Sequence, residues 1–410
     1  MRFWGITGTN GKTTTTWIAA AFIDADPART CGYVTTVEVC TGSRRFYTGY
    51  TTPPLAQLKE IFAEMEANGC TDCVMEVSSH AIHQHRTGDT VFSGGVFTNL
   101  SEDHLDYHKT MEAYFDVKLD FARQIAVAHP TTPDMGRRDL PPYVVCLDGG
   151  YGQEMFNAVG NLAVNVIPVT TGEGNVDGRA RSPSAPQPNY DLSGLKLVGS
   201  YNRSNVLCAA ALAEAAGVAQ EQIQSVIPTL KPRWGRLERV ENPAVRAKVY
   251  VDFAHTPDGL EKVLAAARGF TPKGGKLWVV FGAGGDRDPM KRPLMGAACA
   301  RLADRLVVTS DNPRSEDPME IIESILKGVG KSGEAVSSPL ASEAQTENVH
   351  VEPDREKAIR YALTNAAADD VIIIAGKGHE TTQEIKGVKY PFDDREKVSH
   401  FAPLPSQGDL

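Results

Sequence analysis

The chain contains no apolar run approaching the ~20 residues that a membrane helix needs, which argues against a membrane partner. It has no basic block either. Its 42 Lys and Arg face 51 Asp and Glu over 410 residues, and a net charge of −9 argues against nucleic acid. Seven scattered cysteines give one lone pair, Cys70-Thr-Asp-Cys73, with no second pair and no histidine at zinc spacing. The run Cys73-Val-Met-Glu-Val reads instead as a buried strand. Free thiols and the lack of a leader pattern predict a cytoplasmic location. There is no internal repeat. Glycine is missing at one telling place, because the strict phosphate-loop pattern wants it where Ile6 stands.

What remains at that place is still a nucleotide-binding turn. Phe3 to Ile6 reads as a short strand. It runs into Gly8-Thr9-Asn10-Gly11-Lys12-Thr13-Thr14 and then into a helix-prone stretch, Thr13–Ile23. Backbone N–H groups in such a turn, with the positive end of the helix, form a concavity for phosphate. Lys12 adds a point charge for the outer phosphates, and the Thr13 hydroxyl can reach Mg²⁺. A nucleoside triphosphate with Mg²⁺ is expected at this turn.

The first ~230 residues alternate apolar strands with helical stretches, as an α/β sheet with crossovers requires. The strands predicted here are Phe3–Ile6, Cys73–Val77, Gly94–Thr98 and Val144–Leu147. The helices are Thr13–Ile23, Leu55–Ala67, Met111–Gln124 and Ser204–Ala216. Stretches 130–142 and 172–188 read as loops. A boundary is expected at Lys231-Pro-Arg-Trp-Gly-Arg236. A second α/β pattern follows, with strands Lys248–Phe253, Lys276–Phe281, Arg305–Thr309 and Asp370–Ala375. Helices are expected between them at Gly259–Arg268, Pro293–Ala303, Pro318–Leu326 and Arg355–Asn365, and a polar surface excursion at 331–348. In an open parallel sheet, ligands lie at the strand C-terminal ends.

Three residues stand where chemistry is expected. Glu76 ends a strand on the sheet that holds the phosphate loop, the place of an acidic Mg²⁺ ligand. His104 follows the next strand and could ligate a second metal through a neutral imidazole, though spacing alone favours a structural histidine. Lys118 follows Tyr114 by one helical turn. As an ammonium it would repel Mg²⁺ and reads as a solvated helix face. As a neutral amine it could take up CO₂ to give an anionic carbamate, a reading the residues alone do not force.

The segments Gly8–Thr13, Met75–His80, Thr98–His108 and Tyr114…Lys118 occur in the order and spacing of the Mur ligases, which add amino acids to the peptidoglycan precursor. So do Tyr201–Asn205, Gly235-Arg236, Asp252–Asp258, Gly284–Asp288, Asp311–Arg314 and Gly376–Glu380. The set resembles the MurE-type members, which add the third residue. The resemblance implies a central P-loop-type ATPase domain with a mostly parallel sheet, residues 1–232, and a C-terminal Rossmann-like α/β domain that takes the amino acid, residues 233–410. It implies Lys12 and Thr13 on ATP phosphates and Mg²⁺. It makes Glu76 and His104 metal ligands, with Lys118 as the carbamylated bridge. Asn205 would contact adenine, Arg236 the phosphates and Asp252 the ribose. Thr51, Thr52, Ser78, Gln84 and Arg86 match positions that hold a muramoyl-peptide acceptor.

Asp311-Asn-Pro-Arg314 marks the members that add meso-diaminopimelate. The distal carboxylate of that amino acid suits a guanidinium. Arg287, Asn312, Gly376 and Glu380 match the other positions around it. The implied activity is ATP-dependent, ADP-forming amide ligation through an acyl phosphate, in peptidoglycan precursor synthesis. Family members usually carry an N-terminal uridine-binding domain, and Met1 stands just before the phosphate-loop strand. Three readings follow: an acceptor that is not a UDP-muramoyl peptide, a separate uridine-binding chain, or a truncated start. A non-catalytic ligase-like subunit and a ligase extending a folate-like polymer are the alternatives from other classes. The former should have lost metal ligands, and Asp311–Arg314 and Gly376–Glu380 speak against the latter.

Overall fold

The computed structural model describes residues 1–132, 134–172, 190–330 and 348–402. The stretch 173–188 read as a loop, and nearly all of the excursion at 331–348, lie outside the described residues. The chain divides into two compact units, one of Met1–Ser101 with Tyr107–Lys231 and one of Glu102–Asp106 with Pro232–Leu410. No helix among the described residues is long and apolar enough to cross a membrane.

The first unit carries strands β1 (Arg2–Thr7), β2 (Cys31–Val34), β3 (Val39–Cys40), β4 (Arg45–Phe46), β5 (Asp72–Glu76), β6 (Phe92–Phe97), β7 (Pro142–Cys146) and β8 (Asn165–Val169). They form one sheet in the order β4-β3-β2-β5-β1-β6-β7-β8. Pairings from β2 to β8 are parallel, and β3 and β4 add antiparallel ends. Helices α1 (Lys12–Ile23), α2 (Leu55–Ala67), α3 (Ser79–His83), α4 (Leu105–His108), α5 (Met111–Ala128), α6 (Gly152–Val159), α7 (Ser200–Ala215) and α8 (Gln220–Val226) supply crossovers and cover. Strand β1 is central, flanked by β5 and β6, so Glu76 ends one of the strands beside it and Thr98 directly follows the other. The expected strands are present with ends moved by a residue or two. Strand β8 was not anticipated, because Pro168 interrupts it; at the sheet edge a missing N–H is tolerated.

The second unit carries β9 (Glu238–Val240), β10 (Lys248–Asp252), β11 (Leu277–Phe281), β12 (Arg305–Val308), β13 (Val349–Val351) and β14 (Val371–Ala375). Their order is β13-β12-β11-β14-β10-β9, parallel except for β9. Helices α9 (Pro257–Phe270), α10 (Lys291–Leu302), α11 (Pro318–Val329), α12 (Arg355–Asn365) and α13 (Asp394–Ser399) accompany it. The middle strands are apolar on both faces, and Ile373 and Ile374 of β14 belong to separate core clusters on opposite sides of the sheet. That is the pattern of a sheet covered twice. A hairpin of β15 (Thr382–Ile385) and β16 (Val388–Pro391) turns at Lys386-Gly387, both at positive φ.

At the opposite end from the candidate loops, each sheet is pinned by a tryptophan and an aspartate. Trp4 Nε1 donates to Asp72 at 2.9 Å, and Arg29 donates to both oxygens of the same carboxylate. Trp278 Nε1 donates to Asp370 at 2.8 Å.

Candidate active site

In the first unit the turn from β1 to α1 is buckled onto the end of β6. Thr9 N–H donates to Asn99 O, Asn10 N–H donates to the Asn99 side chain, and the Thr98 hydroxyl donates to Asn10 O at 2.7 Å. Gly8 sits at φ 150°, where a Cβ would lie 1.9 Å from the Thr98 hydroxyl. Gly11, at φ 83°, precedes α1 with no side-chain cap, so the first N–H groups of the helix face the turn. Lys12 Nζ donates to the carbonyls of Gly8 and Thr9, each at 2.9 Å. Thr13 and Thr14 are buried in the first helical turn. Asn205 of α7 packs behind Gly11 and accepts from Thr15 at 3.3 Å.

Lys118 is not on a solvated face. It is 1% exposed, its Nζ donates to Gly8 O at 2.9 Å and lies 4.6 Å from the Tyr114 ring. Tyr114 in turn stacks on His108 and reaches the Thr9 hydroxyl at 3.2 Å. The buried carboxylate of Glu76 accepts from the Thr36 N–H at 2.8 Å and the Thr36 hydroxyl at 3.1 Å.

The candidate acceptor residues join into one network beside it. Thr36 donates to Thr51, Thr52 donates to Glu76 O, Ser78 N–H donates to Thr52, and Arg86 donates to Thr52 O. Arg86 also holds Gln84 through two donors, and Gln84 reaches Tyr107. His104 lies in the short segment grouped with the second unit. It sits at φ 56°, with Nε2 3.4 Å from Asp103. Among the described residues no three His, Cys, Asp or Glu side chains gather closely enough to hold a metal ion by themselves.

In the second unit the loops after β12 and β14 meet. Asn312 Nδ2 donates to Glu380 at 2.9 Å. Lys377 is fully buried, and its Nζ donates to Asn312 and Glu380 at 3.1 Å each and lies 3.6 Å from Asp311. Burial and the neighbouring Asp311 push the Glu380 carboxyl up, while Lys377 and Asn312 pull it down; the net direction is upward. Gly376 follows β14 and borders Asp311.

Arg314 sits at φ 52°, and its Nη1 donates to Gly285 O. A side chain at Gly284 would meet Arg314 at 3.0 Å and Arg287 at 3.7 Å, so both arginines border one turn. Hairpin strand β15 braces the loop: Gln383 donates to Asp311 O, Glu384 N–H to Asn312, and Arg314 N–H to Glu384 O.

Arg236 lies over the Phe253 ring at 4.6 Å. Asp252 accepts from Leu237 N–H at 2.6 Å and Ala254 N–H at 2.7 Å, one on each carboxylate oxygen. Burial pushes its carboxyl up against the pull of Arg236.

Two family models cover most of the chain. The Mur ligase middle domain matches residues 6–213, and the Mur ligase glutamate ligase domain matches residues 235–378. A UDP-N-acetylmuramoyl-L-alanyl-D-glutamate–2,6-diaminopimelate ligase from Synechococcus elongatus is 40% identical, over 96% of this chain and 75% of that one. The enzyme of the same name from Neisseria meningitidis is 38% identical, over 97% of this chain and 77% of that one. This chain belongs to the Mur ligases.

Among Mur ligases it groups with the MurE-type members. A solved structure of a ligase with that same name is 30% identical, with a TM-score of 0.57, over 97% of this chain and 77% of that one. Some side chains in these clusters carry no signal in the sequence. Thr36, which positions Glu76, lies in a loop with no motif. Lys377 lies inside the Gly376–Glu380 run, where the resemblance assigns a role only to Gly376 and Glu380. Gln383 and Glu384 act through a hairpin whose Lys-Gly turn lacks the usual Asn-Gly signal.

Proposed function

We propose that this Mur ligase joins meso-diaminopimelate to the terminal glutamate of a UDP-muramoyl dipeptide, using ATP and forming ADP and phosphate. The acceptor carboxylate attacks the γ-phosphorus of ATP, giving an acyl phosphate and releasing ADP. The amine of the amino acid then attacks the acyl carbon; it loses a proton as phosphate departs, and an amide remains. Both reactants of the first step are anionic. Lys12 and the N–H groups of the 8–14 turn offset that repulsion at the phosphates, with Arg236 as a further cation. Asn205 and Asp252 serve adenine and ribose. Thr51, Thr52, Ser78, Gln84 and Arg86 hold the acceptor, which supports near-attack placement of its carboxylate.

A divalent cation fits part of this donor set. The Thr13 hydroxyl and Glu76 carboxylate are oxygen donors of the kind Mg²⁺ takes, His104 offers an imidazole, and Lys118 becomes a ligand only as a carbamate. Bound there, Mg²⁺ would neutralise charge on the phosphoryl oxygens.

The observation that carries the choice of amino acid is the joined loop pair in the second unit. It presents a carboxylate, Glu380, for an ammonium and a guanidinium, Arg314, for a carboxylate, and Arg287, from the loop after β11, borders the same turn as Arg314. The test offers ATP with UDP-muramoyl-alanyl-glutamate and either meso-diaminopimelate or lysine, then measures ADP and product mass. ADP formation that needs the acceptor and meso-diaminopimelate, with lysine poor, is expected. Equal use of lysine overturns the substrate. Acceptance of simple acyl-glutamates but not the UDP-linked acceptor overturns the acceptor.

A further inference from the structure

Arg355 is the largest fully buried side chain among the described residues, and it opens α12. Its guanidinium makes a two-pronged pairing with Asp394 of α13: Nε to Oδ1 at 2.8 Å and Nη2 to Oδ2 at 2.7 Å, both partners wholly buried. The same group reaches two backbone carbonyls. Nη1 donates to Ser310 O at 3.2 Å, and Nη2 to Ala375 O at 3.0 Å.

Those carbonyls stand immediately before Asp311 and before Gly376. They are the last fixed points ahead of the two loops that carry the amino-acid-binding candidates. Strands β12 and β14 are not neighbours in the sheet, because β11 runs between them. Each strand has an outer neighbour of its own, β13 for β12 and β10 for β14, but the sheet links the two strand ends to each other only by way of β11. The guanidinium spans β11 and ties the two strand ends to each other directly. A lysine could not do this, since a single ammonium lacks the planar fork that serves a carboxylate and two divergent carbonyls at once.

We infer that Arg355, locked in place by Asp394, is a positioning residue that sets the spacing of the Asp311–Arg314 and Gly376–Glu380 loops, and through it the affinity for the amino-acid substrate. The inference rests on the proposed function for the identity of that substrate. Stability alone would not demand the pair, because a buried ion pair is commonly replaced by apolar residues of similar volume without loss. What an apolar pair cannot supply is the bond to each strand end.

The test compares the full chain with Arg355→Lys, Asp394→Asn and the double variant Arg355→Met/Asp394→Leu. Melting temperature, KM for each substrate, and amide exchange in the two loops are read. The single variants are expected to raise KM for meso-diaminopimelate about tenfold or more, with KM for ATP and acceptor within about twofold. The double variant should regain melting temperature while KM for the amino acid stays high. Exchange should rise in both loops together in all variants, a readout that needs no substrate. If KM and loop exchange return to wild-type values along with the melting temperature in the double variant, the pair is merely structural and the inference fails. A wild-type chain that makes no product from meso-diaminopimelate counts against the substrate reading instead, and loop exchange then decides the clamp by itself.

Discussion

Lys118 Nζ and the Gly8 carbonyl lie 2.9 Å apart, in a place that leaves the lysine 1% exposed. A long lysine side chain is thus held beneath the 8–14 turn rather than offered to water.

Replacement of Lys118 by alanine is expected to lower ADP formation by about 100-fold or more, because a group that stabilises developing charge is removed. Partial recovery on adding a short carboxylate or bicarbonate would mark the lost group as anionic. Unchanged turnover in Lys118→Ala, measured by coupled ADP assay, defeats the carbamate assignment.

At Gly8 a methyl group would meet the Thr98 hydroxyl at 1.9 Å and the Asn99 backbone at 3.1 Å. Gly8→Ala should therefore distort the turn and abolish nucleotide binding, while the remote sheet stays folded. Titration with a fluorescent ATP analogue, beside far-UV circular dichroism, checks both halves. Wild-type affinity in the variant would show that the turn does not cradle phosphate.

Lys377→Met removes a group that holds the Glu380 carboxyl down, leaving burial and Asp311 to push it further up. Protonation of Glu380 then begins at a higher pH. If Glu380 receives the substrate ammonium, KM for meso-diaminopimelate should rise on the acid side, and the rise should start at higher pH in the variant. Superimposable KM–pH profiles would separate Glu380 from substrate binding.

Burial, then Arg236, Arg395, His255 and Lys377, push the His379 imidazole down to about 3. Its folded value lies below the unfolded 6.5, so its contribution to stability is complete above pH 6.5 and is lost as pH falls from 6.5 toward 3. At pH 5.5 the loss is about 1 kcal/mol. Urea unfolding of wild type and His379→Gln at pH 7.5 and 5.5 should show a smaller acid loss in the variant. An equal loss in both excludes the histidine as its source.

Much of the architecture was legible where local signals agree. Helices α2 and α12 begin and end at the expected residues; Asp354 caps the latter by accepting from the N–H groups of Glu356 and Lys357. The two-residue strands β3 and β4 have too short a period to read, and β8 was hidden by its proline. Lys118 is the instructive miss. On α5 the buried residues Tyr114, Lys118, Phe121, Ala122 and Ile125 recur at helical spacing, so the lysine stood on the apolar stripe all along. Charge and helical position give opposite signals at this residue, and its burial follows the position. The couplings at Lys377 and Arg355 join residues 65 and 39 apart in sequence, which no local pattern encodes.

The tryptophan–aspartate pins under the two sheets imply a division of labour along the strands. Charge-assisted bonds at the floor can be weakened, for instance by Trp278→Phe, and the damage should register as lowered melting temperature with substrate constants intact. Sequence drift aimed at thermal adaptation therefore has a region in which to act without disturbing the chemistry at the opposite rim.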